Sequence, residues 1–600
     1  MLSPFFVEPP PRPISTPAPE PPKAEPSAPA PAVPVVANAS EQLDLKTGFE
    51  VSSVPKSRDY VFNVTLGRGN PDGFDKSMIF VNGQSPGPLI EANTGDIIRI
   101  VVNNQLPEES TTIHWHGIDQ RNSNWMDGVH GVTQCAIPPG QSFTYEFNVT
   151  GQRGTFWYHS HDSLQYTNGL YGPLVIHDPD EKVPHIDDDK VVMFGDFFHV
   201  DAEVLLGEYL KPGGTMAGVE APPDNIIING HHQSNCTLTA GKPPVCTAGS
   251  LYKTRVQSGK HVRLRLVSHS TSTPFLFSID SHTLQIIEID GVEVEPIAAT
   301  RVFMNPGQRY SVLVTTNQTA GNYKMHVAAA RSCFHMGHGT SSFASVNYEA
   351  IGILSYDDTD LNAADIGKPW DLFGASNNVT GKEPWESQCR DLPFNLPKPI
   401  RKLAAYEVGE RNNHSFTFSR ENVNGTVRTY INEILYEPLL DDAVLWRVNK
   451  VETQQKGLSA NWTFGADQFV MVSQDVDKGV QIVVNSNAMM MHPFHLHGQQ
   501  FQIVGWGPGI FGEGGETTWN LENPMRRDTV TVPGYTHVVL RIRGDNPGVW
   551  ALHCHILWHA EDGMFVQIAQ RMDELENQIK ALDGPNGQHP FRGRFCTVHR

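Results

Sequence analysis

The order of apolar and polar residues changes character near residue 58. From there the chain is built of short β-rich runs, among them "YVFNVTLG", "DIIRIVVNN", "SFTYEFNVT" and "GPLVIHD". A period of two puts one face of a strand against a core and the other in water. Gly, Pro and Asn interrupt the runs at short intervals, so the pattern predicts an all-β chain of sandwiches or barrels. The 3.6-residue period of an amphipathic helix is scarce, and "DELENQIKALDG" near the C-terminus is its best example. Residues 4 to 36 are mostly Pro, Ala and Glu, which bury too little apolar surface to fold; an extended, mobile tail is expected there.

The pattern also repeats. "ANTGDIIRIVVNNQLPEESTTIHWHG" (92–117) is similar to "VDKGVQIVVNSNAMMMHPFHLHG" (476–498), and "GTFWYHSH" (154–161) to "GVWALHCH" (548–555). A third copy, "SGKHVRLRLVSHSTSTPFLFSID" (258–280) with "PGQRYSVLVTTNQTAGNYKMHV" (306–327), keeps the strands but lacks the His-X-His pairs. Repeats of this length are whole domains. The expected limits are a tail at 1–45, domains at 46–180, 181–356 and 401–575, a connector at 357–400 and a second tail at 576–600. Metal belongs in the first and third domains, with the second as spacer or substrate wall.

Composition narrows the class. With 600 residues, 39 % apolar and 18 % charged, the chain has room for large cores. Its formal charge of −20 disfavours nucleic acid and anionic membrane as partners. No apolar run reaches the roughly 18 residues that span a bilayer. Asn-X-Ser/Thr sequons at Asn38, Asn63, Asn148, Asn235, Asn317, Asn378, Asn413, Asn424 and Asn461 predict a secreted, glycosylated protein. The first residues make a poor signal peptide, so a signal or anchor lost upstream, or a misassigned start, is expected.

Four His-X-His pairs stand out: His114/His116, His159/His161, His495/His497 and His553/His555. Residues i and i+2 of a strand share a face, so each pair aims two imidazoles at one place. Imidazole suits zinc, copper, iron and nickel alike. Cys554 separates them. Lying between His553 and His555, it faces the other way and can bind a second, separate ion, with His492 and His559 as imidazoles and Met564 as a weak axial thioether. Two His, one Cys and a distant Met make a blue-copper electron-transfer site. The peptide links on either side of Cys554 then join that ion to the histidine cluster. Zinc has no redox chemistry with which to use such a path. With Cys554 set aside, Cys135, Cys236, Cys246, Cys333, Cys389 and Cys596 remain. Six cysteines fit three disulfides but allow 15 pairings; Cys236 and Cys246 are near enough to close a local loop.

Over roughly 58–572 these motifs resemble those of the multicopper oxidases, most closely the three-domain fungal laccase-like oxidases. The resemblance implies three cupredoxin-like Greek-key domains and four copper ions. It implies a type 1 copper on His492, Cys554 and His559 with Met564 axial, and a type 2 copper on His114 and His495. It implies a type 3 pair, one ion on His116, His159 and His555 and the other on His161, His497 and His553. The family reaction oxidises substrate one electron at a time at type 1 copper and reduces dioxygen to water at the cluster. Asp127 in "NWMDGV" matches the family's proton-relay acid, and Asp224 in "PPDNIIING" the acid that takes the phenol proton in some fungal laccases. Family cysteines placed like Cys135 and Cys596 tie the first domain to the tail, and Cys333 and Cys389 flank the connector and would close it. The implied partners are a phenolic substrate and dioxygen, with the protein acting as a monomer.

Ferroxidase is the rival within the family. "DNPGVW" and "NPMRRDT" resemble iron-oxidising relatives; Asp196 fits their pattern, whereas Leu557 stands where they carry Glu. A laccase usually has His where this chain has Gln499, and the tail "RFCTVHR" lacks the plug of some ascomycete laccases. Axial Met564 implies a modest potential, suited to easily oxidised phenols of pigment or phenol-coupling biosynthesis. A copper carrier without activity would need only the Cys554 site, and the chain keeps all eight cluster histidines.

Overall fold

The computed structural model describes residues 43–45, 48–234, 247–330, 347–372, 391–448, 464–465, 467–582, 591 and 595–596. The Pro-rich tail lies outside them, as do both cysteines of the expected pairs Cys236–Cys246 and Cys333–Cys389.

Among the described residues the strands form six sheets, two for each of three sandwiches in tandem. In the first sandwich one sheet runs Lys76–Val81, Ser57–Gly69, Ile97–Asn104, Ser142–Asn148. The other runs Ile90–Asn93, Tyr171–His177, Gly154–Ser160, Ile113–His116. Sheet neighbours that are distant in sequence, such as the parallel pair Ser57–Gly69 and Ile97–Asn104, show chain crossings between the sheets. The alternation in "DIIRIVVNN" becomes the inward set Ile98, Ile100 and Val102, which meets Trp115 and Phe156 of the facing sheet. The middle sandwich pairs a six-stranded with a five-stranded sheet, and the third a seven-stranded with a five-stranded one.

The histidine-bearing strands depart from alternation. Ile113–His116, Gly154–Ser160, His492–Leu496 and Gly548–Cys554 are buried along their whole length. One face of each lies in its own sandwich, as with Ile113 and Trp115, and the other is covered by a neighbouring one. Val549 and Ala551 of the third sandwich pack with Val129 and Val132 of the first. Leu552 and Cys554 face the opposite core, which also takes in Trp157 of the first sandwich and Val191 of the middle one. Cys554 and His553 therefore point to opposite sides of one strand.

The C-terminal amphipathic pattern is a helix, Met572–Leu582, that buries Met572, Leu575 and Ile579 against the third sandwich. Beyond it Cys596 is disulfide-bonded to Cys135, 461 residues away, so the tail is tied to the first sandwich as expected.

Candidate metal centre

Strand register gathers the histidines. Antiparallel pairing sets His114 opposite His159 in the first sandwich and His495 opposite His553 in the third. His161, His497 and His555 each follow directly on the last residue of such a strand. Nitrogen atoms from these residues fall within 4.8 Å of one another in three sets: His114/His116/His495, His116/His159/His555 and His161/His497/His553. Each set draws on both sandwiches, so the cluster exists only where the two meet. The Nε2 atoms of His114 and His495 are 3.5 Å apart, and that of His553 lies 3.4 Å from His161 and 3.1 Å from His497.

Acceptors behind the rings fix the tautomers. Nδ1 of His114, His495, His159 and His553 lies 2.8–3.0 Å from the main-chain oxygens of Asp127, Asp528, Ser160 and Cys554. A carbonyl can only accept, so each Nδ1 carries the proton and each Nε2 lone pair turns inward. His497 donates from Nδ1 to Asp127 Oδ2 at 2.9 Å, so Asp127 braces the rings of both His114 and His497. Several inward nitrogens have no hydrogen-bond partner among the described residues: Nε2 of His159, Nδ1 of His116 and both nitrogens of His555. Burial first, then neighbouring imidazoles, pushes the pKa of His116, His161, His497 and His555 well below the ordinary value, and that of His553 down to about 3. Neutral, buried and unpartnered imidazoles fit a cluster of borderline-soft metal ions and not calcium or magnesium, which take oxygen ligands.

The second group lies on the other side of strand Gly548–Cys554. Cys554 Sγ is 3.7 Å from Nδ1 of His492 and 3.7 Å from Nδ1 of His559, which are 3.1 Å from each other. A point equidistant from all three lies about 2 Å from each, the reach of a metal–imidazole or metal–thiolate bond. The thiol is buried, which raises its pKa well above the ordinary value, so only a cation among these atoms would hold it as thiolate. Met564 is fully buried in the same core; its main chain accepts from Cys554 N and donates to His559 O.

Three residues that the sequence did not single out shape these groups. Asp528 accepts from Thr529 Oγ1 at 2.9 Å and lies 3.4 Å from His116 Nε2 and 3.5 Å from His495 Nδ1. Arg309, from the middle sandwich, grips both of its oxygens at 2.6 and 2.5 Å. Its charge outweighs burial and keeps the Asp528 pKa low. Glu220 meets His559 Nε2 at 2.5 Å. Burial alone would raise its pKa, but His559 and then Arg420 outweigh that and hold it at about 2. The string "RRDT" was the one available signal for Asp528, and "GVEAPPDN" contains Glu220 beside the expected Asp224.

The remaining candidates are placed as follows. Asp224 accepts the main-chain N–H of His199 at 2.7 Å, and the acid touching His559 is Glu220. Asp196 accepts from the hydroxyl of Ser270 and from the N–H groups of Thr271, Ser272 and Thr273, so it organises a loop. Gln499 donates to Gln570 and accepts from Arg543 N.

Three family models, each described as multicopper oxidase, match residues 63–181, 188–358 and 441–574. Laccase-1 of Cryptococcus neoformans var. grubii is 37% identical over 531 residues, 86% of this chain and 81% of that protein. An iron transport multicopper oxidase, fetC, of Epichloe festucae is 32% identical over 86% of this chain and 77% of its own length. Among solved structures, the laccase from Botrytis aclada aligns with a TM-score of 0.73 at 28% identity, covering 91% of this chain and 96% of that one. Fet3p, a multicopper oxidase that functions in iron import, aligns with a TM-score of 0.74 at 25% identity, over 90% and 97% of the two chains.

Proposed function

We propose that this chain, which belongs to the multicopper oxidase family, is a secreted laccase-like enzyme that oxidises diphenol-type substrates and reduces dioxygen to water. It is an oxidoreductase with three cupredoxin-like domains, and copper is the cofactor its family uses. We assign four ions: one to His492, Cys554 and His559 with Met564 nearby, one to His114 and His495, and two to His116/His159/His555 and His161/His497/His553. Bound there, copper would supply one-electron exchange with the phenol and four-electron reduction of dioxygen.

The protein's own share is positioning and proton handling. The observation that carries the reading is the strand Gly548–Cys554, which turns Cys554 toward His492 and His559 and its flanking histidines toward the other sandwich. One peptide unit on each side of Cys554 joins the two groups. Glu220, on the far side of His559 from Cys554, is placed to take the proton that a phenol releases on oxidation. Asp127 holds His497 through Oδ2, and its buried Oδ1, 3.3 Å from His114 Nδ1, has no hydrogen-bond partner among the described residues, so that atom can carry a proton toward the cluster.

Glu220 at His559 also favours a second reading, oxidation of Fe(II), because a carboxylate there attracts a cation. Arg420, 4.0 Å from Glu220 and 3.1 Å from Asp562, shares its charge between the two acids, and Nε2 of His492 has no hydrogen-bond partner among the described residues. A dication calls for more than one free carboxylate, and Glu220 is already engaged by His559 Nε2, so phenol is preferred. The exposed sequon residues Asn148, Asn317, Asn413 and Asn424 support export, and among the described residues no helix is long and apolar enough to cross a membrane. We take the domain limits as 46–180, 181–356 and 401–575, and the working unit as a monomer. Oxygen uptake with a diphenol against Fe(II) tests the substrate class; faster turnover of Fe(II) would replace phenol. In parallel Cys554→Ser should lose both the blue absorption and turnover, and retention of either removes the assignment.

A further inference from the structure

We propose that the cleft where the three sandwiches meet binds a small multivalent oxyanion, a polycarboxylate or a phosphate. The cleft has a volume of about 340 Å³, enough for a small ligand. Five cations line it: Arg153 from the first sandwich, and Arg401, Lys402, Arg526 and Arg543 from the segment leading into the third and from the third itself. Such a concentration stands out in a chain with a net charge of −20.

Three of the five already have carboxylate partners. Arg153 pairs with Asp178, Arg401 with Glu293 at 2.8 Å and Arg543 with Asp119 at 2.8 Å. Arg526 pairs with none among the described residues. It donates from Nη2 to the main-chain oxygen of Arg401 at 2.7 Å, while its Nη1 is buried with no hydrogen-bond partner. Lys402 is exposed and likewise has no ion pair among the described residues. A buried guanidinium nitrogen without an acceptor is costly, and burial accordingly lowers the Arg526 pKa. An oxyanion in the cleft offsets the unpaired charge of this guanidinium at close range. More than one anionic oxygen is called for, because Arg526 and Lys402 are both left over.

The place also has a structural consequence. Arg526 is followed by Arg527, which holds Asp290 at 2.8 Å and Asp391 at 3.1 Å, and then by Asp528 beside the cluster histidines. Gln500, also lining the cleft, donates to the main-chain oxygen of Asp290 at 2.7 Å. An anion here would tie the three sandwiches together and stabilise the folded chain by mass action.

The test is the thermal midpoint of the copper-loaded full chain, with blue absorption followed to show that copper is retained. Inorganic phosphate and tricarballylate are titrated against sodium chloride at equal ionic strength. A saturable rise with phosphate or with tricarballylate, absent with chloride, supports the site and tells its two sources apart. Arg526→Gln should weaken half-saturation by about tenfold or more, the loss expected of one charge-assisted contact. Lys402→Gln, at an exposed position where folding is not at stake, should weaken it as well. An equal rise with chloride, or a titration unchanged in both variants, overturns the proposal.

Discussion

His559 has two working edges. Nδ1 faces Cys554 Sγ at 3.7 Å, and Nε2 meets Glu220 at 2.5 Å. A phenol that gives up an electron to this ring must also give up a proton, and the nearest acceptor is the Glu220 carboxylate, whose pKa His559 and Arg420 hold at about 2. Glu220→Gln should therefore lower kcat/KM for a diphenol by about tenfold or more while leaving a donor without an ionisable proton unaffected. Asp224→Asn should change neither by more than about twofold, since Asp224 is committed to the main chain of His199. Steady-state kinetics on the two donors checks both; equal losses on both donors in Glu220→Gln would show a disturbed ring and not a lost base. The two acids show what was legible at this scale. His-X-His pairs and a cysteine between histidines can be read locally, because strand geometry fixes where i and i+2 point. Glu220 and Asp224 share one irregular stretch, and only the fold shows which one meets a ring 339 residues away.

At the scale of strands, local alternation revealed the elements and their repeats, and the buried histidine strands were recognisable by motif. The device that holds the cluster was not, because it joins residues 219 positions apart. Arg309 begins strand Arg309–Thr315 of the middle sandwich, and Asp528 precedes strand Thr529–Val532 of the third. The middle sandwich is thus more than the spacer or wall expected of it: it steadies His495 and His116 through Asp528. It also approaches directly at Gly307, whose φ of +82° and missing side chain leave room for His555 and His116, 2.8 and 3.1 Å from where a Cβ would stand. Removing Arg309 would leave Asp528 charged, buried and without its main partner. Arg309→Met should cost about 3–5 kcal/mol of stability. Copper should be lost from the cluster before it is lost from Cys554, so that metal content falls while blue colour persists. Arg309→Lys should restore only part, since a point charge cannot grip both oxygens. Metal analysis beside the blue absorption decides it; parallel loss of both would mean general unfolding.

For the whole molecule, the repeats disclosed three domains and the family resemblance implied the Cys135–Cys596 link, but neither discloses how the buried imidazoles bear on stability. Eight of them, His116, His159, His161, His492, His495, His497, His553 and His555, have pKa values pushed down, by burial first in each case. In the unfolded chain they titrate at about 6.5. Above that pH both states are neutral at these sites and they add no pH dependence. Below it the unfolded chain takes up protons that the folded chain cannot, so stability falls with pH until each folded value is reached, about 3 for His553. Each such histidine contributes a slope of up to about 1.4 kcal/mol per pH unit, and seven of the eight act together at the junction of two sandwiches, while His492 lies beside Cys554. Copper-depleted protein should therefore be stable at pH 7.5 and lose its structure cooperatively as the pH falls toward about 5, while reloaded protein, whose lone pairs are taken by metal, stays folded further into acid. Denaturant titrations of both forms across that range measure the effect. A depleted protein equally stable at both ends would mean that protons reach the folded cluster freely, and the buried, neutral donor set on which the copper assignment rests would have to be given up.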